Sequence, residues 1–78
     1  MKIYEINNNS IIYKDMLMKK SKEFKYNGIE YIQFLNNEEH KFIVMEKIFD
    51  NKCIEITNME LIKKIIEANF KKASSVIE

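Results

Sequence analysis

The dipeptide Asn27-Gly28 constrains this chain more than any other feature. It lies inside EFKYNGIEYIQF, residues 23 to 34, between two runs rich in aromatic and β-branched residues. Asn followed by Gly supplies the two positive φ values that a two-residue hairpin turn requires. Such a turn also fixes register. Tyr26 then faces Ile29, Lys25 faces Glu30, Phe24 faces Tyr31 and Glu23 faces Ile32.

The rest of the chain builds outward from this hairpin. Strands are expected over 21–26, 29–35, 41–49 and 52–56, with a shorter one at 2–6. NNEEH at 36–40 is a polar loop of hairpin length, and DNK at 50–52 is a tight turn. NNNS ends the first strand, and Asn9 or Ser10 is placed to cap a short helix over 10–20. Alternation of Met16 and Met18 around Leu17 also permits a strand there. The Met, Leu and Lys that follow Ile12 tip the reading toward helix. A second helix is expected over 58–73, opened by a capping box of Thr57 and Glu60. Its apolar side collects Met59, Ile62, Ile65, Ile66, Phe70 and Ala73. The order describes a small α+β domain with an antiparallel sheet of four to five strands and a C-terminal helix on one face.

Counting across the loops assigns the faces. With 36–40 as the loop, Leu35 opposes Lys41, Phe34 opposes Phe42, Ile32 opposes Val44 and Glu30 opposes Glu46. One face gathers Phe24, Tyr26, Ile29, Tyr31, Leu35, Ile43 and Met45, and is expected to lie under the 58–73 helix. The other is split. Ile32, Phe34, Phe42 and Val44 form its apolar half, while Lys25, Glu30 and Glu46 form a charged row. The apolar half has three candidate covers: residues 10–20 of the same chain, a second copy in a homodimer, or another protein.

Composition narrows the class. Seventy-eight residues suggest one domain. A chain of that size buries only roughly 60% of its unfolded surface, so a partner would help it. At 46% apolar and 32% charged residues it is globular rather than disordered. No apolar run approaches the ~20 residues of a membrane span. MKIYEINNNS meets Asn and charge too early for a signal peptide. A lone cysteine, Cys53, fits a reducing cytoplasm. Net charge is +1, with Lys concentrated in residues 1–27 and acids in residues 28–60. Arg, Pro and Trp are absent, and Ile, Lys and Asn are abundant. That usage suits an AT-rich genome. The lack of Arg also removes the side chain best suited to bidentate contacts with guanine and phosphate.

Catalytic chemistry finds little footing. Glu30 and Glu46 face one another in the expected register, and paired carboxylates can do acid–base work. Lys25 flanks them, however, and no His accompanies them. His40 follows Glu38 and Glu39 in a loop, where adjacent positions close a metal shell poorly. Cys53 sits in a short strand and reads as a structural thiol. No catalytic, metal or cofactor residue is assigned. The best nucleic-acid candidate is KKSKEFKY, in which Lys19, Lys20, Lys22 and Lys25 accompany Phe24, Tyr26 and Tyr31. Those aromatics belong to the face expected under the helix.

The leading expectation is a non-enzymatic cytoplasmic protein that binds another protein. Its contact candidates are Ile32, Phe34, Phe42 and Val44, with the acids Glu30, Glu38, Glu39, Glu46 and Asp50. Small size and AT-rich composition are shared in style with phage and mobile-element products that inhibit host enzymes or defence systems, anti-CRISPR proteins among them. The alternatives are single-stranded nucleic-acid binding through the four lysines, and a structural homodimer.

Overall fold

The computed structural model describes the backbone of residues 2–77 and the side chains of residues 2–68. Among them are six antiparallel strands and one helix: β1 (Ile3–Glu5), β2 (Ser10–Tyr13), β3 (Met16–Tyr26), β4 (Ile29–Asn36), β5 (Lys41–Lys47), β6 (Lys52–Glu55) and α1 (Met59–Ile77). The sheet order is β1-β6-β5-β4-β3-β2. β1 and β2 are consecutive in sequence yet occupy the two edges. A tight turn joins them, with Asn7 and Ser10 exchanging backbone hydrogen bonds of 2.9 and 3.0 Å. The sheet must therefore curl until its edges meet, and the result is nearly a barrel.

The segment expected as a helix over 10–20 is β2 and the first half of β3. Lys14 and Asp15 form its hairpin turn, both in the left-handed region at φ 48° and 63°. Asn8 with Asn9, and Asn27 with Gly28, turn the chain in the same way. Local preference for helix loses here because strand geometry sends Ile11 and Met18 into the interior, where each is 2% exposed. Residues 10–20 do cover the sheet, but as strands.

β3 carries a bulge at Ser21, since Lys20 pairs with Phe34 and Lys22 with Gln33. The extra residue re-phases the strand. Before it, Met16 and Met18 point inward. After it, Phe24 and Tyr26 point outward toward α1. All four are even-numbered, so only the bulge allows them opposite faces.

The hairpin at Asn27-Gly28 has the expected register from Tyr26↔Ile29 through Glu23↔Ile32. The next one is displaced by one residue. Asn36 pairs with Lys41, Leu35 with Phe42, Phe34 with Ile43 and Ile32 with Met45. Asn36 remains in the strand because its Oδ1 accepts a 2.8 Å hydrogen bond from the Glu39 N–H, which closes the turn over four residues rather than five. A shift of one reverses every β5 side chain. Ile43 and Met45 therefore face the interior, while Phe42 and Val44 face outward.

Two apolar clusters follow. The interior takes a contribution from every strand: Tyr4, Ile11, Met18, Ile32, Phe34, Met45 and Cys53. The outer cluster packs Tyr31, Val44 and Ile65 together, with Phe24, Tyr26, Ile56 and Leu61 around them. Burying each such large side chain contributes about 1.5–3 kcal/mol. Leu61 and Ile65, four residues apart, present one helix face to the sheet. Met59, expected on the apolar side, is exposed. Phe70 and Ala73, expected on that side too, lie outside the described side chains. The helix cap is Asn58 rather than Thr57, because Asn58 Oδ1 accepts from the Glu60 and Leu61 N–H groups at 3.0 and 3.2 Å. No described helix is long and apolar enough to cross a membrane.

Candidate functional site

The barrel wall is incomplete beside β5. β4 pairs with β5 from Lys41 to Glu46, whereas β6 pairs with it only from Met45 to Lys47. The Lys41–Val44 half of β5 thus has a ladder on one side only. On the far side of the gap stands the β2–β3 hairpin, which presents Tyr13, Lys14, Met16 and Met18. Ile56, Met59 and Ile62 close one end. Between these walls lies a mostly apolar cleft of about 490 Å³, within the range of roughly 300–1,000 Å³ usual for binding sites.

The polar groups of the cleft come from its two sides. β1 is short and pairs with β6 only as far as Ile54, so Glu55 extends past it. The Tyr13 hydroxyl crosses that space and donates a 2.6 Å hydrogen bond to Glu55 Oε2. This bond to the carboxylate, with burial and the negative charge of Glu55 added, pushes the Tyr13 phenol up to about 12. The Tyr13 ring lies 5.6 Å from that of Tyr4, which carries the contact across the seam between the sheet edges. Lys14 places its ammonium 5.4 Å from the Tyr13 ring centroid. Lys14 and Lys41 leave two cations and one carboxylate around an apolar space.

The closed sheet and the observed β5 register together disperse the expected contact residues. Ile32 and Phe34, 1% and 0% exposed, are interior, and Val44 lies beneath α1. None of these three is on the surface. Phe42 is, at 53% exposed, and it borders the cleft. Glu30 does not face Glu46: the Lys47 ammonium lies 3.8 Å from its carboxylate. Glu46 is on the other face, opposite Tyr31, whose phenol is pushed up by burial and by that charge. The row beside Lys25 thus alternates in sign. Glu38 and Glu39 lie in the exposed β4–β5 turn and Asp50 in the β5–β6 turn. Those turns are separated by the length of β5, roughly 20 Å, so the acids form no single patch.

The lysines divide as well. Lys19 and Lys22 pair opposite Leu35 and Gln33 on the outer face, whereas Lys20 and Lys25 pair opposite Phe34 and Glu30 on the inner one. Lys20 lies 3.7 Å from Glu23. Tyr31 is buried, and Phe24 stacks against it at 6.0 Å under α1. His40 is exposed in its turn at φ 53°. Cys53 is buried, which pushes its thiol up to about 11. Among the described residues no three His, Cys, Asp or Glu side chains converge.

Tyr13, Glu55, Met16 and Met18 were not singled out as site residues by the sequence. Their one legible signal was the alternation of Met16 and Met18, which needed a strand to give it meaning. No protein-family model, curated protein or solved structure matches this chain.

Proposed function

We propose that this chain is a small non-enzymatic module that binds another protein, with Phe42 as its central contact. The observation that carries the reading is Phe42 itself. It is 53% exposed on a strand whose next three residues are buried or partly buried, and it rims an apolar cleft beside the 65% exposed Met59. Exposed large apolar side chains grouped around a cleft mark interaction surfaces, and aromatic residues dominate binding energy there. In a phage or mobile-element setting such a module would dock on a host enzyme or defence complex and block it sterically. Glu38 and Glu39 lie in the turn that leads into β5, and Glu55 lines the same cleft as Phe42.

The test is affinity capture from a low-GC bacterial lysate with the wild-type chain and with Phe42→Glu. A protein retained by the former and lost by the latter, with unfolding midpoints unchanged, is the expected result. Equal retention by both, or none by either, overturns the reading. A homodimer built on the same surface would show twice the chain mass by light scattering and revert to one with Phe42→Glu.

Single-stranded nucleic acid is the second reading, favoured by Lys19 and Lys22 on one face, with the Lys22 ammonium 5.9 Å from the Phe24 ring. It ranks lower because Tyr31 is buried and Phe24 and Tyr26 are partly buried in the cluster at α1, which places these three rings poorly for stacking a base. A shift of labelled single-stranded RNA at low salt that fades steeply as salt rises would reverse the order.

A further inference from the structure

The cleft has a geometry that a simple surface hollow lacks. Lys41, Phe42, Ile43 and Val44 all line it. Successive strand residues point to opposite faces, so a pocket on either face of β5 would meet only alternate ones. All four border the same space only if that space lies against the edge of the strand. The ladders agree, since β6 joins β5 only from Met45 onward. Sheet edges are templates for pairing with another chain.

We infer that the Lys41–Val44 edge of β5 receives an extended segment of the partner protein, which continues the sheet where β6 leaves it. The inference rests on the protein-binding reading above and deepens it. Such a segment would place alternate side chains on the two faces of the sheet. One set would enter the barrel mouth against Met16, Met18 and Ile43. The other would lie outside, against Phe42 and Met59. Both sets of contacts are apolar, so the segment carries apolar residues, β-branched ones suiting an added strand. Charge supplies the second requirement. Lys14 stands on one side of the cleft and Lys41 on the other, against the single carboxylate of Glu55, which already accepts from Tyr13. The segment therefore carries acidic residues where it leaves the cleft. Its chemistry is an extended, acidic, β-branched peptide.

A fluorescein-labelled heptapeptide of three central valines flanked on each side by two glutamates is the probe. It is compared with a twin N-methylated on alternate backbone nitrogens and with a twin bearing lysine for glutamate. The parent peptide is expected to bind and to slow amide hydrogen exchange within Lys41–Val44. The N-methylated and lysine twins are each expected to bind at least tenfold more weakly. The exposed double substitution Lys14→Glu and Lys41→Glu is expected to weaken the parent by tenfold or more in a chain that still unfolds cooperatively. Equal binding of the N-methylated twin, protection confined to other strands, or no binding at millimolar peptide would each overturn the inference. These outcomes are separate from the Phe42→Glu capture result, which would stand if only the edge pairing failed.

Discussion

The Tyr13 hydroxyl donates a 2.6 Å hydrogen bond to the Glu55 carboxylate, tying β2 to β6 past the end of the short strand β1. Backbone pairing between β1 and β2 is confined to the Asn7–Ser10 turn. This side-chain link and the neighbouring Tyr4–Tyr13 contact therefore hold much of the seam. A hydrogen bond to a charged partner contributes about 1.5–3 kcal/mol. Tyr13→Phe keeps the ring and removes the bond. It is expected to lower the unfolding free energy by about 1–2 kcal/mol, read from urea unfolding of both chains at neutral pH.

The same bond makes a prediction in alkali. Tyr13 titrates at about 12 in the fold, whereas a tyrosine in an unfolded chain titrates near ~10. Its folded value is raised, so its stabilisation is fully present below pH ~10 and is lost as the pH climbs toward about 12. The stability difference between wild type and Tyr13→Phe should hold steady up to pH ~10 and shrink above it. A difference that instead grew with pH in that window would contradict the assignment.

Phe34 and Phe42 offer a direct measure of register. Phe34 is fully buried, and its replacement by Ala should cost about 3–5 kcal/mol, much of the roughly 5–15 kcal/mol that holds an ordinary domain. Phe42 is more than half exposed, and Phe42→Ala should change stability by no more than about 0.5 kcal/mol. A five-residue turn at 36–40 would put both rings on one face and give them comparable costs. Two chemical denaturation curves separate these cases.

Asn58 caps the helix through two backbone N–H groups. Asn58→Ala is expected to cost about 1 kcal/mol. Thr57→Ala, one residue earlier, should cost distinctly less. A larger loss at Thr57 than at Asn58 would return the cap to Thr57.

Cys53 should resist thiol reagents. It is buried, and burial raises its thiol to about 11, so little thiolate forms near neutrality. Labelling by a maleimide should be slow in the folded chain and fast in denaturant, followed by mass spectrometry.

Part of this fold was legible because its signals are local. Asn27-Gly28 set its own hairpin register, as the geometry of a two-residue turn demands. The aromatics around it pack under the C-terminal helix, as their alternation implied. Where the reading failed, the deciding contact was not local. Lys14 and Asp15 turn the chain without glycine or a tract of turn residues, so nothing nearby announced a hairpin. Met, Leu and Lys favour helix when taken alone, but Ile11 and Met18 gain the barrel interior only as strand residues. The surface implied by Ile32, Phe34, Phe42 and Val44 failed for two reasons. β2 and β3 brought Ile11 and Met18 against Ile32 and Phe34. The turn in which the Glu39 N–H donates to Asn36 Oδ1 displaced β5 by one residue and turned Phe42 and Val44 outward.

By itself, the sequence determined an antiparallel sheet with a C-terminal helix, because turn chemistry and hydrophobic period act over a few residues. Tertiary structure alone decided which face of each strand points inward. The Ser21 bulge and the four-residue β4–β5 turn each change phase by one residue, and a period of two converts that single step into a reversal of faces. The same structure decided that β6 leaves β5 early, so that Lys41–Val44, on which the proposed binding rests, has a ladder on one side only.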